Sequence, residues 1–530
     1  LTVNAQTTIW DHYLIGNYQT DIDENWNVTV EAGVNSRERI DDQTGVASQQ
    51  QIIFGLFNHG NYINQSFRGE DGGNLNGRSS DQQIGVFTQG SFGYKDYMYV
   101  TLGGRNDWVS TLEANNRSLF YPSASVSFIP TSAIASLQNN KILNYAKIRA
   151  GYSTSARFPA PYRTRQSLSI NSNAFVDRQG STLNANSIPN RLPNPDLKAE
   201  LLQEFEIGLE GRFINNRVSV DFTYYNRVSK NQILTQALDP STGYTSKEVN
   251  GGDVANSGIE MQLGVTAVKN RNFTWQIDMN YTRNRSMVSN LPSSIKQIPV
   301  AGYTDLGAFA MNGQPLGVIQ GYYAQRDPKT GQRLVNNSGN YISSNEIGII
   351  GNPLPLWKGA LINTVTYKGL SFRMQWDYTH GGDIYSTTTR ALLARGVTKD
   401  TEFDRYAPVI LPGVLANGQP NNIQTSATNA YFSNFGFGPN DMSVWDGSII
   451  RLREMSLSYS VPESALKKLP FGGISFTVSG QNLWYKAPNF PQYSNFDPET
   501  SGLGVGSYRG LEFITGPSSR RIGASIRVTF

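Results

Sequence analysis

Apolar and polar residues alternate strictly along the last ten residues of the chain. Counting back from Phe530, every second side chain is apolar: Val528, Ile526, Ala524 and Ile522. The residues between them are polar, charged or glycine: Thr529, Arg527, Ser525, Gly523 and Arg521. A period of two places successive side chains on opposite faces of a β-strand. The pattern therefore predicts a strand with one apolar and one polar face, ending on an aromatic residue.

The same period of two recurs along most of the chain and predicts antiparallel strands. The segments that show it include 26–35, 204–213, 217–224, 274–281, 370–378 and 455–461. In a soluble protein the apolar faces of such strands pack against a core. In an outer-membrane barrel they face lipid, and the polar faces line the lumen. The alternation alone is compatible with both classes of protein.

The connections between these segments alternate between short and long. The short ones include 93–96, 215–216, 268–272 and 367–369, and the long ones cover 41–80, 154–198, 286–356, 382–444 and 484–518. This alternation is typical of an outer-membrane barrel with short periplasmic turns and long extracellular loops. We count about fifteen strands. Because single-chain bacterial barrels have even strand numbers, we expect amino-terminal strands to be absent from this chain.

Other local patterns are weaker. The segment 313–325 also has an extended pattern, although it lies inside the long 286–356 loop. Helical pattern is confined to short pieces such as Glu463 to Leu469. Leu1 lies in an already patterned segment, and neither a start methionine nor a signal peptide precedes it. We therefore expect the beginning of the protein to be missing from this sequence.

Composition narrows the class of membrane protein. The chain has 530 residues, no cysteine and a hydrophobic fraction of 38%. No run approaches the roughly 18 apolar residues that a membrane helix needs, which excludes helical membrane proteins but not barrels. The 45 basic and 41 acidic residues nearly balance, so nothing supports a nucleic-acid partner. The sequence predicts an all-β protein, a transmembrane antiparallel β-barrel of a Gram-negative outer membrane in contact with lipid and lipopolysaccharide.

Several motifs carry a resemblance to a known family. In chain order the main ones are Asn194-Pro195-Asp196-Leu197-Lys198-Ala199-Glu200, Val254-Ala255-Asn256-Ser257-Gly258-Ile259-Glu260, Gly351-Asn352-Pro353-Leu354-Pro355-Leu356-Trp357, His380-Gly381-Gly382-Asp383-Ile384-Tyr385, Trp445-Asp446-Gly447-Ser448-Ile449-Ile450-Arg451-Leu452-Arg453, Ser479-Gly480-Gln481-Asn482-Leu483 and Asp497-Pro498-Glu499. In this order and spacing, residues 194–530 resemble the SusC/RagA family of TonB-dependent outer-membrane transporters. The upstream part of the chain resembles that family more loosely.

Turn chemistry explains many of these motif residues without any contact to substrate. We expect Pro462 to end a strand, because proline cannot donate to the ladder. Asn482 is placed to hydrogen-bond a loop backbone at the rim, and Gly258 allows backbone geometry that other residues resist. The motifs therefore indicate the family more strongly than they indicate a binding site.

The resemblance implies most of what we expect of the function. Family members are 22-stranded barrels that import oligosaccharides or peptides, so residues 1–530 are expected to be the carboxy-terminal barrel portion. The family's carboxypeptidase-like domain, TonB-contacting segment and plug find no counterpart here, and very large barrels typically hold a plug. The resemblance further implies a TonB complex that supplies energy and a SusD-like surface lipoprotein that closes over the long loops.

Catalysis, metals and cofactors have little support in the sequence. The three histidines, His12, His59 and His380, are scattered and form no ligand-spaced motif. The glycine-rich segment 502–506 does not follow a strand and open a helix, so it does not predict a phosphate-binding loop. The segment 327–331 lacks the repeated ligands of a calcium loop. We expect neither enzymatic activity nor a cofactor.

Loop aromatics are the candidates for binding substrate or the lid protein. The last long loop contains six of them: Trp484, Tyr485, Phe490, Tyr493, Phe496 and Tyr508. The 154–198 loop adds Arg157, Phe158 and Tyr162. Exposed aromatics can stack on a sugar or peptide or meet a partner protein, but they can also form an aromatic girdle or the loop's own packing. Trp484 and Tyr485 lie at a strand end, where a girdle belongs.

Two functions follow from these observations. The first is an active importer of oligosaccharides or peptides, and the alternative is a non-transporting receptor or a structural subunit of a larger surface assembly. A plug and a TonB-contacting segment upstream of Leu1 would favour the importer. We also expect deletion of residues 484–518 to abolish substrate or lid binding while leaving the barrel folded.

Overall fold

The computed structural model describes residues 1–69, 74–176, 178–293, 295–467, 469–500, 502 and 509–530. The strands are β1 (Thr2–Asp21), β2 (Trp26–Gln51), β3 (Tyr62–Ser66), β4 (Gly77–Tyr94), β5 (Met98–Val109), β6 (Ser118–Phe128), β7 (Leu143–Arg157), β8 (Ser169–Val176), β9 (Thr182–Ser187), β10 (Arg191–Leu192), β11 (Glu200–Phe213), β12 (Val218–Lys230), β13 (Ile233–Ala237), β14 (Ser246–Asn250), β15 (Asp253–Lys269), β16 (Phe273–Ser289), β17 (Ile298–Gly302), β18 (Gly307–Ala310), β19 (Val318–Ala324), β20 (Ser343–Gly351), β21 (Trp357–Tyr367), β22 (Leu370–His380), β23 (Asp383–Ser386), β24 (Pro408–Val409), β25 (Thr425–Ser426), β26 (Val444–Asp446), β27 (Ile449–Ser460), β28 (Gly473–Lys486), β29 (Leu511–Glu512) and β30 (Arg521–Thr529). The α-helices are α1 (Pro130–Ala133), α2 (Thr387–Arg395), α3 (Ala427–Tyr431) and α4 (Glu463–Leu466). Short 3-10 helices cover His59–Asn61, Ala135–Leu137, Pro240–Thr242, Lys399–Thr401 and Asn440–Ser443, and a π-helix covers Phe432–Gly436.

The first of two compact units comprises Leu1–Phe128, Gly151–Phe205 and Ser229–Gly251. Its main antiparallel strand order is β1–β2–β4–β5–β6, and β3 pairs with β2. The first hairpin keeps one register from Thr2 opposite Val46 to Asp21 opposite Asn27. Its loops enclose a small apolar core of Val109, Leu112, Leu197 and Ala199.

The second unit comprises Ile129–Ala150, Glu206–Val228 and Gly252–Phe530. Its main antiparallel strand order is β15–β16–β21–β22–β27–β28–β30. The connections after β15, β21 and β27 are shorter than those after β16, β22 and β28. Because neighbouring strands are antiparallel, all three long loops leave the sheet at the same end. Strands β7, β11 and β12 have residues in both units.

The apolar faces of the sheet strands are exposed. In β30, Ile522 and Ile526 are 77% and 68% exposed, and in β28 Val478 is 57% exposed. The opposite face is polar: the Ser458 and Thr477 hydroxyl oxygens lie 2.8 Å apart across β27 and β28. A soluble protein would bury so large an apolar surface, whereas a bilayer solvates it. The structure therefore favours the lipid-facing interpretation over the soluble one.

The long loops contain strands and helices of their own, most of which the sequence pattern does not predict. The loop after β16 folds into the sheet β17–β18–β19–β20, whose strand β19 lies within the extended pattern at 313–325. The loop after β22 carries α2, which begins where the Ser386 hydroxyl accepts the Thr389 N–H and ends at Gly396. The predicted all-β antiparallel fold is confirmed. Among the described residues the main strand order contains fifteen strands, as predicted, and the loops add short strands of their own.

Local expectations at strand ends are mostly met. Asn215 and Asn216 have φ angles of 54° and 60°, which suits a tight hairpin turn. Strand β27 ends two residues before Pro462, and the Asn482 side-chain amide donates to the Ser519 carbonyl at 3.3 Å. Gly258 is required for a different reason from the one expected, since its φ is not left-handed. A Cβ there would lie 2.3 Å from a backbone oxygen of the paired strand β16.

Candidate functional site

Trp484 and Tyr485 lie at the loop end of β28 and face opposite ways. Trp484 is exposed on the apolar face, where its ring meets that of Trp376 edge-on at 5.8 Å. The Tyr485 hydroxyl donates to the Asn495 carbonyl at 2.7 Å, and the Arg451 guanidinium lies 5.2 Å from its ring centre. Trp484 thus has the position of a girdle residue, while Tyr485 holds the last loop against the strand.

Phe490 and Phe496 pack inside the last loop. Their rings are stacked with centroids 4.9 Å apart, and the centroid of the Trp445 ring lies 5.5 Å from that of Phe490. Both phenylalanines are buried in a cluster with Ile384. In this arrangement their ring faces contact other parts of the protein, so they order the loop.

Tyr493 is the half-exposed aromatic of this loop. Its backbone N–H donates to the Asp400 carboxylate at 3.0 Å, and the Lys399 ammonium lies 5.3 Å from its ring centre. These two contacts join the last long loop to the loop after β22. Tyr508, the remaining candidate of this loop, lies outside the described residues.

The three candidates of the 154–198 loop belong to the first unit. Phe158 packs against the small core that contains Leu197. Arg157 is 83% exposed at its side chain and lies 3.8 Å from the Glu200 carboxylate. Tyr162 is exposed and has a φ of 61°. Arg157 and Tyr162 are therefore available to a partner or ligand, whereas Phe158 is mainly a packing residue.

An ionic cluster at the loop end of β22, β27 and β28 was not among the predicted site residues. We define it as Arg451, Arg453, Asp377, Asp497 and Glu499. Arg451 is 1% exposed and binds Asp497, and its Nε lies 3.3 Å from Glu499 Oε2. Arg453 Nε donates to Asp377 at 2.6 Å, and its Nη2 donates to both Glu499 oxygens at 2.7 and 2.8 Å. The cluster pins the last long loop to the sheet.

The sequence holds a signal for this cluster in two of the family motifs. Arg451 and Arg453 are two residues apart on β27, and that spacing on a strand places both charges on one face. Asp497 and Glu499 are also two residues apart, in a turn where the Glu499 N–H donates to the Asp497 carboxylate at 3.0 Å. The two pairs have opposite charge, which favours their association.

A second charged link joins two loops of the first unit. The Glu113 carboxylate accepts two hydrogen bonds from the Arg165 guanidinium, both at 2.7 Å, and one from the Thr164 hydroxyl at 2.9 Å. The hydrogen bonds from Arg165 and then Thr164 lower the pKa of Glu113 to about 2. Because the folded pKa is depressed, the link stabilises the loops above the ordinary pKa of 4.5 and is lost as the pH falls towards 2.

We therefore expect acid to release the 154–198 loop in the wild type but not in the Glu113→Gln variant, which lacks the titrating group. The measurement is the rate of pepsin cleavage within the 154–198 loop between pH 4.5 and pH 2, where pepsin is active. At each pH this rate is divided by the rate for a free peptide. The wild-type rate should rise as the pH falls, and the Glu113→Gln rate should be high throughout. Glu24→Gln, at an exposed turn, is the matched control and should follow the wild type. Wild-type cleavage that stays constant with pH would contradict the link.

No group of three or more His, Asp or Glu side chains suited to a metal ion occurs among the described residues. None of their helices is long and apolar enough to cross a membrane. In the second unit, ordered loops leave one end of the sheet and are fixed by the buried ion pair of Arg451 with Asp497 and by aromatic packing.

Exposed apolar strand faces, polar opposite faces and long ordered loops define an outer-membrane β-barrel protein. The family model described as "TonB dependent receptor-like, beta-barrel" matches residues 2–483. The chain belongs to this family of outer-membrane receptors and transporters, which confirms the predicted membrane location.

The relatives place the chain near the SusC/RagA type, as the motifs predicted. TonB-dependent receptor P26 of Formosa agariphila is 27% identical, over 100% of this chain and 54% of that protein. TonB-dependent receptor SusC of Bacteroides thetaiotaomicron is 23% identical, over 64% of this chain and 34% of that protein. The RagAB peptide transporter matches 100% of this chain and 56% of its own, with a TM-score of 0.76 and 19% identity. The likeness to the RagAB transporter shows the fold. The chain spans about half the length of receptor P26 and about a third of the length of SusC.

Proposed function

We propose that these residues are the carboxy-terminal barrel portion of an active importer of oligosaccharides or peptides. Import is energised through TonB and works together with a SusD-like surface lipoprotein. The observation that carries this proposal is the family match over residues 2–483. The fold likeness to the RagAB peptide transporter supports it. A plug and a TonB-contacting segment belong to the proposal as parts of the longer protein.

The ordered loops are the part of this chain that we assign to capture. Tyr493, Tyr162 and Arg157 are exposed candidates that lie on loops, unlike Trp484 on the apolar face of β28, and we propose that they contact the substrate or the lipoprotein. Phe490 and Phe496 act indirectly by ordering the last loop. Deleting residues 484–518 is a poor test of this assignment, because it would remove the carboxylate of Asp497 that faces Arg451. The single variant Tyr493→Ala leaves that pair intact.

Uptake by cells that express the full-length protein tests the proposal. Fluorescein-labelled oligosaccharides and oligopeptides too large for porins are supplied to cells with and without TonB. We expect accumulation of one of the two classes only when TonB is present. Uptake that does not depend on TonB would overturn active import, and no uptake of either class would favour the non-transporting receptor.

Peptide-mapping mass spectrometry on the gently extracted complex tests the partners separately. We expect a surface lipoprotein to co-purify, together with peptides of a plug. Tyr493→Ala should weaken retention of the lipoprotein or of the labelled substrate severalfold, whereas Trp484→Ala, on the apolar face, should not. Equal behaviour of the two variants would contradict the assignment of Tyr493 to capture.

A further inference from the structure

A pocket of about 350 Å³ opens beside the ionic cluster in the second unit. Its walls come from the loop before β21, the start of β21, the end of β22 with β23, the start of β27 and the last long loop. The lining residues include Pro353, Lys358, Thr379, Glu499, Arg509 and Gly510. Four of the family motifs contribute residues to the lining of this pocket. Turn chemistry explains these residues without a ligand.

The charges around this pocket do not balance. Three cations, Lys358, Arg453 and Arg509, line the pocket, against one carboxylate, Glu499. Arg451 and Arg453 both pair with this carboxylate. Lys358 and Arg509 form no ion pair within the described part of the chain. They also act on each other electrostatically, and like charges at close range repel.

A bound anion would stabilise this arrangement, because the carboxylates of Glu499 and Asp377, which also attract Lys358, are already paired with Arg453. Lys358 is half-buried, so water screens its charge only in part. A carboxylate between Lys358 and Arg509 would receive charge-assisted hydrogen bonds from both, and a guanidinium can bind a carboxylate with two parallel bonds. The Thr379 hydroxyl, on the strand position opposite Lys358, offers a further donor.

The rest of the pocket wall suits the aliphatic part of a peptide side chain. Pro353 and the other prolines of the lining are apolar and rigid. Gly510 has a φ of 85°, and a Cβ there would lie 2.5 Å from Pro353 Cβ, so a larger residue would close this wall inwards. The described lining residues include no aromatic ring. The flat apolar face of a sugar packs best on aromatic rings, so this wall favours a peptide side chain over an acidic sugar.

We propose that this pocket binds a carboxylate of an acidic oligopeptide, with Lys358 and Arg509 as the anion-binding residues. The inference rests on the proposed function, because it names the chemistry of the molecule that the importer captures. It predicts selectivity for acidic over neutral peptides.

Binding is measured on the full-length protein extracted with its native partners, by anisotropy of labelled probes at low salt. The probes are the amidated tetrapeptide Ala-Ala-Glu-Ala, its Ala-Ala-Gln-Ala counterpart and tetragalacturonate. We expect the acidic peptide to bind about tenfold more tightly than the neutral one, the effect of one charge-assisted hydrogen bond. Salt should reduce this preference. Lys358→Gln and Arg509→Gln should each lower the acidic-to-neutral ratio towards one.

Lys368→Gln, at the short turn far from the pocket, is the matched control and should keep the wild-type ratio. Equal affinity of the wild type for both peptides, or an unchanged ratio in both variants, would overturn the pocket assignment. Tighter binding of tetragalacturonate, lost in Lys358→Gln, would replace the peptide by an acidic sugar. Absence of TonB-dependent uptake by the wild type would instead refute the proposed import. The ratio of the two peptide affinities can still be measured in that case.

Discussion

Replacing Asp497 with alanine should lower the free energy of unfolding by about 3 kcal/mol, because it leaves the buried Arg451 guanidinium without its partner. Arg451 is among the largest fully buried side chains among the described residues, and Asp497 is 5% exposed. Breaking such a pair costs about 3–5 kcal/mol, since one charge stays in a poorly solvated site. The lower end applies here because Glu499 remains 3.3 Å from Arg451.

Equilibrium unfolding in urea, with the protein in detergent micelles, measures this effect through the fluorescence of the eight tryptophans. Asp497→Asn, which keeps hydrogen-bonding capacity but loses the charge, should fall between wild type and alanine. The matched control is Glu454→Ala, whose partner Arg373 lies 3.9 Å away in a pair that water reaches, with side chains 40% and 31% exposed. A pair screened by water contributes about 0–1 kcal/mol.

The double variant Arg451→Met, Asp497→Leu separates the charge from the packing. Replacing both members of a buried ion pair by apolar residues is often close to neutral, so the double variant should recover most of the loss. A loss no greater than that of Glu454→Ala would mean that the buried pair does not hold the last loop to the sheet. Failure of the double variant to recover would assign the effect to lost packing.

The strands could be predicted because alternation is a local property of the chain. The alternating segment 274–281 lies within β16, and the segment 370–378 lies within β22. The face on which each side chain lies follows from its parity along the strand. Strand ends are less local, and β2 continues to Gln51, into the predicted 41–80 loop, because β1 and β3 provide it with pairing partners.

The interior of the loops could not be predicted because its stabilising partners are distant in sequence. Phe490 was as good a binding candidate as Tyr493, but Trp445 and Ile384 bury it. Helix α2 begins with threonines, which are weak helix formers. Its stability comes from contacts such as those of Arg390 with the carbonyls of Phe435 and Gly436, which no local pattern indicates.

Replacing Glu512 should release α2 from the last long loop, because this buried carboxylate receives hydrogen bonds at the start of the helix. One Glu512 oxygen accepts from the Ser386 hydroxyl at 2.8 Å and the Thr388 N–H at 2.9 Å. The other accepts from the Thr388 hydroxyl at 2.7 Å, the Thr515 N–H at 2.7 Å and the Thr515 hydroxyl at 3.0 Å. A negative charge at a helix start also interacts favourably with the helix dipole.

Glu512→Gln should cost about 1.5–3 kcal/mol, the usual contribution of a hydrogen bond to a charged group. Each carboxylate oxygen of Glu512 accepts a hydrogen bond from a backbone N–H. In Glu512→Gln an NH2 group replaces one of these oxygens, so one backbone N–H faces another donor. Hydroxyl groups can rotate to accept from that amide, but the N–H of Thr388 or Thr515 cannot. Glu512→Ala, which leaves all five donors without this acceptor, should cost more than Glu512→Gln.

The cost of Glu512→Gln should also depend on pH. Burial alone would raise the pKa of Glu512, but the hydrogen bonds from Thr388, Thr515 and Ser386 outweigh it and hold the pKa below its ordinary value. A depressed pKa means that the carboxylate stabilises the fold fully above the unfolded value near 4.5 and progressively less as the pH falls below it. The difference between wild type and Glu512→Gln should therefore be largest at neutral pH and shrink in acid.

Unfolding free energies at pH 7 and pH 3.5, with hydrogen exchange of residues 386–395 at pH 7, test both parts of this prediction. Exchange in α2 should be faster in Glu512→Gln than in wild type, whereas Glu346→Gln, an exposed carboxylate on β20, should leave it unchanged. A difference between wild type and Glu512→Gln that persists at low pH would mean that shape, not charge, holds α2. Unchanged exchange would mean that α2 is held by its contacts with Phe435 and Gly436 instead, so that the last loop could move without disturbing the helix.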